Sequence, residues 1–284
     1  MIRFLLKGLF RDKSRSRLPI IVVAIGVMLT VFVHAYITGF MGDTIEMNAK
    51  FSHGHVKVMS RAYAENASQV PNDLALTEVN DLLNELNEQF PEMNWAPRIQ
   101  FGGLIDAPDE NGETRAQGPA AGMGIDLLSE NSREAERLNI IKSLVRGNLV
   151  QHPGEALLSE QFSQKLGVNP GDEVTLIGST MYGSMSMYNF NVAGTVSFGV
   201  EALDRGTIIV DIEDARNALD MYDAAGELIG LFESGFYDDE KALRLARLFN
   251  ASYESENDEY APVMKTLGQQ ESMGQYVALS EVWG

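Results

Sequence analysis

Residues Leu18–Thr38, LPIIVVAIGVMLTVFVHAYIT, contain no Asp, Glu, Lys or Arg. No other feature limits the fold of this chain so strongly. As a helix the run spans about 30 Å, the thickness of a hydrocarbon core. Twelve of its residues are Leu, Ile, Val or Phe. Each favours insertion by roughly 0.3–0.6 kcal/mol near the bilayer centre, enough together to outweigh Pro19, Gly26 and His34. Pro19 is expected in the first helical turn, where a missing N–H costs least. A cleaved signal peptide would have an apolar core of about 7–15 residues ending in a small-residue site. This run is longer, and Tyr36-Ile37-Thr38-Gly39-Phe40 lacks that pattern. The run reads as a retained transmembrane helix over 18–38, with no second run of its kind after it.

The flanks give a direction. Arg3, Lys7, Arg11, Lys13, Arg15 and Arg17 precede the run against Asp12 alone, whereas Asp43 and Glu46 follow it. The positive-inside rule places residues 1–17 in the cytoplasm and the bulk of the chain outside the inner membrane. Ile2, Leu5, Leu6 and Leu9 share one helical face, with Arg3, Lys7 and Arg11 opposite. Such a helix lies in the headgroup layer, so the six cations are read as membrane-interface residues in contact with lipid.

The chain has 22 basic and 40 acidic residues. The leader holds six of the former and one of the latter, leaving 16 against 39. A domain this acidic is a poor match for nucleic acid, whose affinity comes from Lys and Arg on phosphates. There is no cysteine, hence no disulfide and no thiolate chemistry.

Past Gly39 the helix is expected to continue to about Phe51 and to end at Ser52-His53-Gly54. His55–Met59 alternates as a strand. Val79, Leu82, Leu83, Leu86 and Phe90 mark an amphipathic helix with Thr77 as its cap. Trp95–Ile105 reads as a strand interrupted at Pro97 and Gly102-Gly103, returning beside the first. A turn cluster at Pro108–Gly112 opens a different texture. Within it, Pro119–Ile125 reads as a strand, Ser132–Leu144 as helical, and Glu160–Leu166 as a short helix closed by Gly167. Glu173–Ile177 is a strand, and Ser179–Asn191 is a hairpin rich in Met and Tyr. Thr207–Val210 is a buried strand, and Ile212, Ala215, Leu219 and Tyr222 mark a helix. Leu228–Phe232 is a strand, Asp238 caps a helix carrying Ala242, Leu245, Ala246 and Phe249, and Met273–Trp283 is helical. The expected class is α+β: a transmembrane helix, then a porter-like βαβ sheet-and-helix domain (39–105 and 204–284) with an inserted small α/β module (106–203).

No catalytic constellation emerges. His53-x-His55 has metal-ligand residue types, but at the start of a strand such a pair is more often surface or turn. The run Glu254–Glu259 lacks the full pattern of a calcium loop, and no G-x-x-x-x-G-K-[ST] occurs. The chain reads as non-enzymatic, with no cofactor or metal. Met181, Tyr182, Met185, Met187 and Tyr188 are candidate partner or substrate contacts, since methionine suits adaptable surfaces. At alternate hairpin positions they suit one buried face equally well.

Several segments, in order, resemble the ABC transporter permeases with a MacB-like periplasmic core domain, which include the FtsX-like and lipoprotein-releasing LolC/LolE types. The leader and span FLLKGLFRDKSRSRLPIIVVAIGVMLTVF resemble that family's basic start and first span, and Gly54–Val58 its first strand. Ala121–Asp126 resembles its GID segment with Met-Gly inserted, and Ile141–Leu149 the stretch that follows. The most specific segment is Glu155–Ile177, EALLSEQFSQKLGVNPGDEVTLI, followed by Val192–Thr195, Asp204 and Ile208–Ala215.

The resemblance implies a permease subunit that transmits the cycling of a cytoplasmic ABC ATPase to its outer domain, for lipoprotein release or export. It also implies a second permease subunit, identical or different, and a lipoprotein or envelope partner. The family carries three more spans after the outer domain. Gly284 falls about where the second begins, so the expectation is a truncated copy, a fragment or a split product. The rival expectation is a single-span, membrane-anchored binding or scaffold protein.

Overall fold

The computed structural model describes residues 13–109, 111–253, 258–270 and 273–283, with side chains omitted at 13–16 and 279–283. The amphipathic leader expected over 2–11 lies outside the described residues. Helix α1 (Lys13–Asn48) is continuous, with every side chain of the Leu18–Thr38 run exposed except a half-buried Ile37. At 1.5 Å per residue it is about 54 Å long, so its last ten residues project roughly 15 Å beyond the apolar run. Pro19, expected in the first turn, lies further in because the helix begins at Lys13. Its missing N–H leaves the Arg15 carbonyl without the usual helical partner. A π turn, Ala49–His53, closes the stalk, with Gly54 N–H donating to Ala49 O (2.7 Å).

Beyond Gly54 the chain forms two connected groups of strands. The first has the order β12 (Pro262–Thr266), β1 (Val56–Ser60), β11 (Glu227–Phe232) and the start of β3 (Met93–Pro108), all neighbours antiparallel. Two β-α-β units build it, β1–α3–β3 and β11–α9–β12, where α3 is Val79–Gln89 and α9 is Asp239–Ser252. The strand expected beside β1 is therefore displaced by one place: β11 enters between β1 and β3, the split form of a β-α-β unit. Val79, Leu86, Phe90, Ala242, Leu245 and Phe249 pack from the helices onto Val56, Val58 and Leu228.

The second group closes on itself. Strand β3 pairs β4 (Thr114–Ile125), which runs parallel to β9 (Thr207–Asp211). That strand pairs β6 (Glu155–Ser159), which runs parallel to β8 (Met185–Val196). Strand β8 pairs β7 (Glu173–Ser179), and β7 returns to β3. These six strands form a ring, with β5 (Leu144–Gly147) added outside β8. Phe101, Ile105, Leu158, Val174, Leu176 and Phe190 belong to its core together with Phe162 of α6 (Glu160–Leu166). Gly122 faces the Phe101 ring so closely that a Cβ would come within 2.0 Å of it. The boundaries expected at 105/106 and 203/204 do not coincide with breaks in pairing, since β3 runs through the first and β9 joins the ring.

Strand β3 is not interrupted at Pro97 or Gly102-Gly103. Pro97 sits where β4 has already left the sheet, so β3 has a strand partner on one side only. Thr77 does not cap α3. It pairs with Ala224 in a two-stranded ribbon of β2 (Leu76–Thr77) and β10 (Ala224–Ala225), and Glu78, at φ +54°, precedes the helix. The helix at Ile212 ends at Leu219, leaving Tyr222 beyond it and exposed. The polar segment from Ser132 holds two single-turn helices, α4 (Glu134–Arg137) and α5 (Ile140–Ser143). The expected Gly167 and Asp238 caps are both present.

Strand β12, not anticipated from the sequence, is an edge. Asn250 of α9 covers it: its Nδ2 donates to Met264 O (3.0 Å) and its Oδ1 accepts from Met264 N–H (2.8 Å). Asn250→Ala removes both bonds and bares the edge. Chemical denaturation of the full chain in detergent should show a loss of about 1–3 kcal/mol; an unchanged midpoint would mean that solvent replaces the amide without cost.

Candidate functional site

The site is the place where α1 meets both strand groups. A helix leaves its last carbonyls without internal partners and carries partial negative charge at that end. Here a guanidinium meets them. Arg98, on β3, is 1% exposed. Its Nη1 donates to Phe51 O (2.6 Å) and its Nη2 to Lys50 O (2.9 Å). Its Nε donates to Glu134 Oε2 (2.8 Å) on α4, whose Oε1 accepts from Arg137 Nη1 (2.5 Å). One side chain thus joins the end of the stalk, the central strand β3 and the loop-and-helix segment after β4. Phe51 adds an edge-to-face contact with Phe198, which follows β8 (ring centroids 5.3 Å apart).

A second tie lies one turn earlier. Glu46 Oε1 accepts from Tyr237 N–H (2.6 Å), and its Oε2 lies 3.4 Å from His55 Nε2. The buried His55 accepts the Phe232 N–H on Nδ1 (2.9 Å), so the ring proton is on Nε2, facing Glu46. His55 therefore joins α1, β1 and β11. Gly54 is required between them: at φ +67° a Cβ would lie 2.4 Å from Val56 O. Below these ties, Ile45 and Ala49 pack on Ile229 and Leu231 of β11, on Leu267, and on Met273 and Val277 at the start of helix α10 (Gly274–Trp283). Burial, with hydrogen bonding to Asp239, pushes the Tyr237 hydroxyl well above its usual range, so it stays protonated.

Among the described residues no cluster of three His, Asp or Glu side chains could hold a metal. Of the expected interface cations, Arg3, Lys7 and Arg11 lie outside the described residues. Lys13 and Arg15 fall on the α1 backbone, and Arg17 is exposed on it. The hairpin residues divide. Tyr182, Met185 and Met187 face outward at 77%, 77% and 66% exposure. Met181 is buried, and Tyr188 turns in, its hydroxyl 3.3 Å from Asp214 and its ring against Phe190. The five residues do not share one face, because the turn at Thr180–Ser184 breaks the alternation. Register places Pro119, Leu104, Ile177 and Met187 in one row across β4, β3, β7 and β8. Arg98, Glu46 and Glu134 escaped the sequence reading. A charge inside Ala96-Pro97-Arg98-Ile99 signals a buried partner, but that partner is 36 residues away.

Removing Arg98 leaves Glu134 buried beside two unpaired carbonyls. Arg98→Met should lose about 3–5 kcal/mol in urea unfolding of the full chain. The double substitution Arg98→Met/Glu134→Leu should recover about half, since the carbonyls and the Arg137 guanidinium then lose their partners but no buried carboxylate remains. A wild-type midpoint for the single variant would exclude this tie as structural.

No family model matches the chain, and no curated protein matches it by sequence. The fold does have a solved counterpart. The periplasmic region of MacB from Actinobacillus actinomycetemcomitans superposes with a TM-score of 0.52 at 12% identity, over 81% of this chain and 95% of that one. The chain is thus an α+β protein in which a long apolar helix leads into the fold of that periplasmic region.

Proposed function

We propose that this chain is a permease subunit, in its N-terminal portion, of an ABC-type transporter. In this reading α1 spans the inner membrane with its N-terminus cytoplasmic, and the strand groups lie on the periplasmic side. An ATPase partner in the cytoplasm changes the tilt or spacing of α1. The stalk carries that change outward for lipoprotein release or export. The chain does no chemistry of its own.

The observation that carries the reading is the double tie at the end of α1. A helix that merely anchors a domain requires no such fastening, whereas this one ends in charge-assisted bonds to the strand groups and the segment after β4. Two ties about one turn apart couple the end of the helix to both groups. The likeness to the MacB periplasmic region supports the transporter setting. The basic flank before Leu18 and the acidic one after Thr38 support the orientation. A second permease subunit would pair with this one. The row of exposed Leu104, half-buried Ile177 and exposed Met187 would meet a lipoprotein or other envelope partner.

Purification of the full chain from native membranes tests the reading. A protein bearing a G-x-x-x-x-G-K-[ST] motif should travel with it, identified by mass spectrometry. A chain recovered alone would favour a single-span scaffold, and a soluble form cut after Thr38 would overturn the anchor. Met185→Asp/Met187→Asp should leave the unfolding midpoint within about 0.5 kcal/mol, since both side chains are exposed. The same variant should retain the ATPase and lose the outer partner in crosslinking; unchanged crosslinks would remove the row from the contact surface.

A further inference from the structure

On the stalk-facing side of the first strand group, a cleft of about 580 Å³ opens between the π turn, the strands β1 and β12, and the segment Ala64–Ser68. That volume is in the range of ordinary small-ligand sites, roughly 300–1,000 Å³. The surrounding chain carries a net charge of −18, and this cleft brings together two lysines, Lys57 and Lys265, with Glu227 and Glu65. Register sets Lys57 and Lys265 directly opposite each other on β1 and β12. Like charges in that relation destabilise a sheet unless something answers them.

Lys57 is answered. Its ammonium donates to Glu227 Oε1 (2.8 Å), and Gln100 Nε2 donates to the other oxygen (3.2 Å), so this buried pair is satisfied. Lys265 is not. It is half-buried, its one hydrogen bond is to Ala64 O (3.2 Å), and it has no carboxylate partner among the described residues. Gln269, at the mouth, uses its Oε1 to accept the Thr266 N–H (3.1 Å), which leaves its amide N–H groups for another acceptor. His53, also on the lining, has its pKa lowered by burial and then by the charge of Lys57. Met59 and Ala64 supply an apolar flank.

We infer that this cleft binds a carboxylate, held between the Lys265 ammonium and the Gln269 side-chain amide beside the Lys57–Glu227 pair. An ammonium and an amide donor together match the two oxygens of one carboxylate. The apolar flank would take the carbon chain that bears it. The carboxylate could belong to a small diacid or to a peptide, and the site stands independently of the transport reading.

Calorimetric titration of the full chain in detergent, with four probes, decides it. The probes are succinate, an acidic hexapeptide, the same peptide with its carboxylates amidated, and inorganic phosphate. Succinate or the acidic peptide should bind, whichever is the source, while the amidated peptide does not. Lys265→Gln should weaken that binding about tenfold, the worth of one charge-assisted bond. Gln269→Glu, which keeps an oxygen for the Thr266 N–H but removes the amide donors, should weaken it about threefold or more. The inference fails if neither carboxylate probe binds, if phosphate binds as tightly, or if both variants bind like the wild type.

Discussion

Arg98 satisfies three separate electrostatic demands from one buried position. The end of α1 presents carbonyls at Lys50 and Phe51 that the helix itself cannot pair. Glu134 is a buried carboxylate that requires a cation. Strand β3 runs through both strand groups, so a charge placed on it is shared by both. Guanidinium geometry allows all three at once, because its donors fan out in one plane, whereas an ammonium would act as a point charge. Burying the pair carries a desolvation cost that the attraction between the two groups only partly offsets. Its contribution is therefore more to the fixed angle between stalk and domain than to net stability.

The strand group beside the stalk shows the same economy. A sheet with helices on one face ordinarily leaves the other to solvent. Here β11 alternates between two cores: Leu228 and Phe232 face α3 and α9, whereas Ile229 and Leu231 face Ile45 and Ala49 of the stalk. The end of α1, with α10 beside it, thus serves as a third layer over part of the sheet. The rest of that face, not covered by the stalk, is where Lys57, Glu227 and Lys265 lie. Apolar and charged residues divide this face according to where the helix lands.

What the sequence disclosed and what it concealed follow from the range of the interactions concerned. The Gly167 and Asp238 caps, the buried run at Thr207 and the end of the stalk at Gly54 are set within a few residues of themselves, and each lies where periodicity and capping chemistry indicate. Strand order is decided by partners more than a hundred residues apart. The insertion of β11 between β1 and β3 left no local trace, nor did the closure of the ring by β7 on β3. Short pieces held by pairing alone, such as β2 with β10, lack the length to show a period. Pro97 and Gly102-Gly103 suggested breaks in β3 because their cost depends on neighbours that the local sequence does not reveal.

The hairpin strand β8 has an inner and an outer set of side chains. Ser186 and Phe190 point into the core, while Met185 and Met187 point out. Strand alternation makes the two sets inseparable, so the outer residues inherit their positions from the packing of the inner ones. Pro119, Leu104, Ile177 and Met187 are held in line by three consecutive ladders, which makes the row stiff along the direction of pairing. Below it the next row is polar and internally bonded, with Gln117 donating to Asp106 and Thr175 to Asn189. An apolar row bounded by polar groups that already have partners limits the contact area on that side. Methionine at its outer end adds side chains that adapt to shape without moving the backbone. Such a surface combines a fixed position, taken from the ring, with a compliant tip.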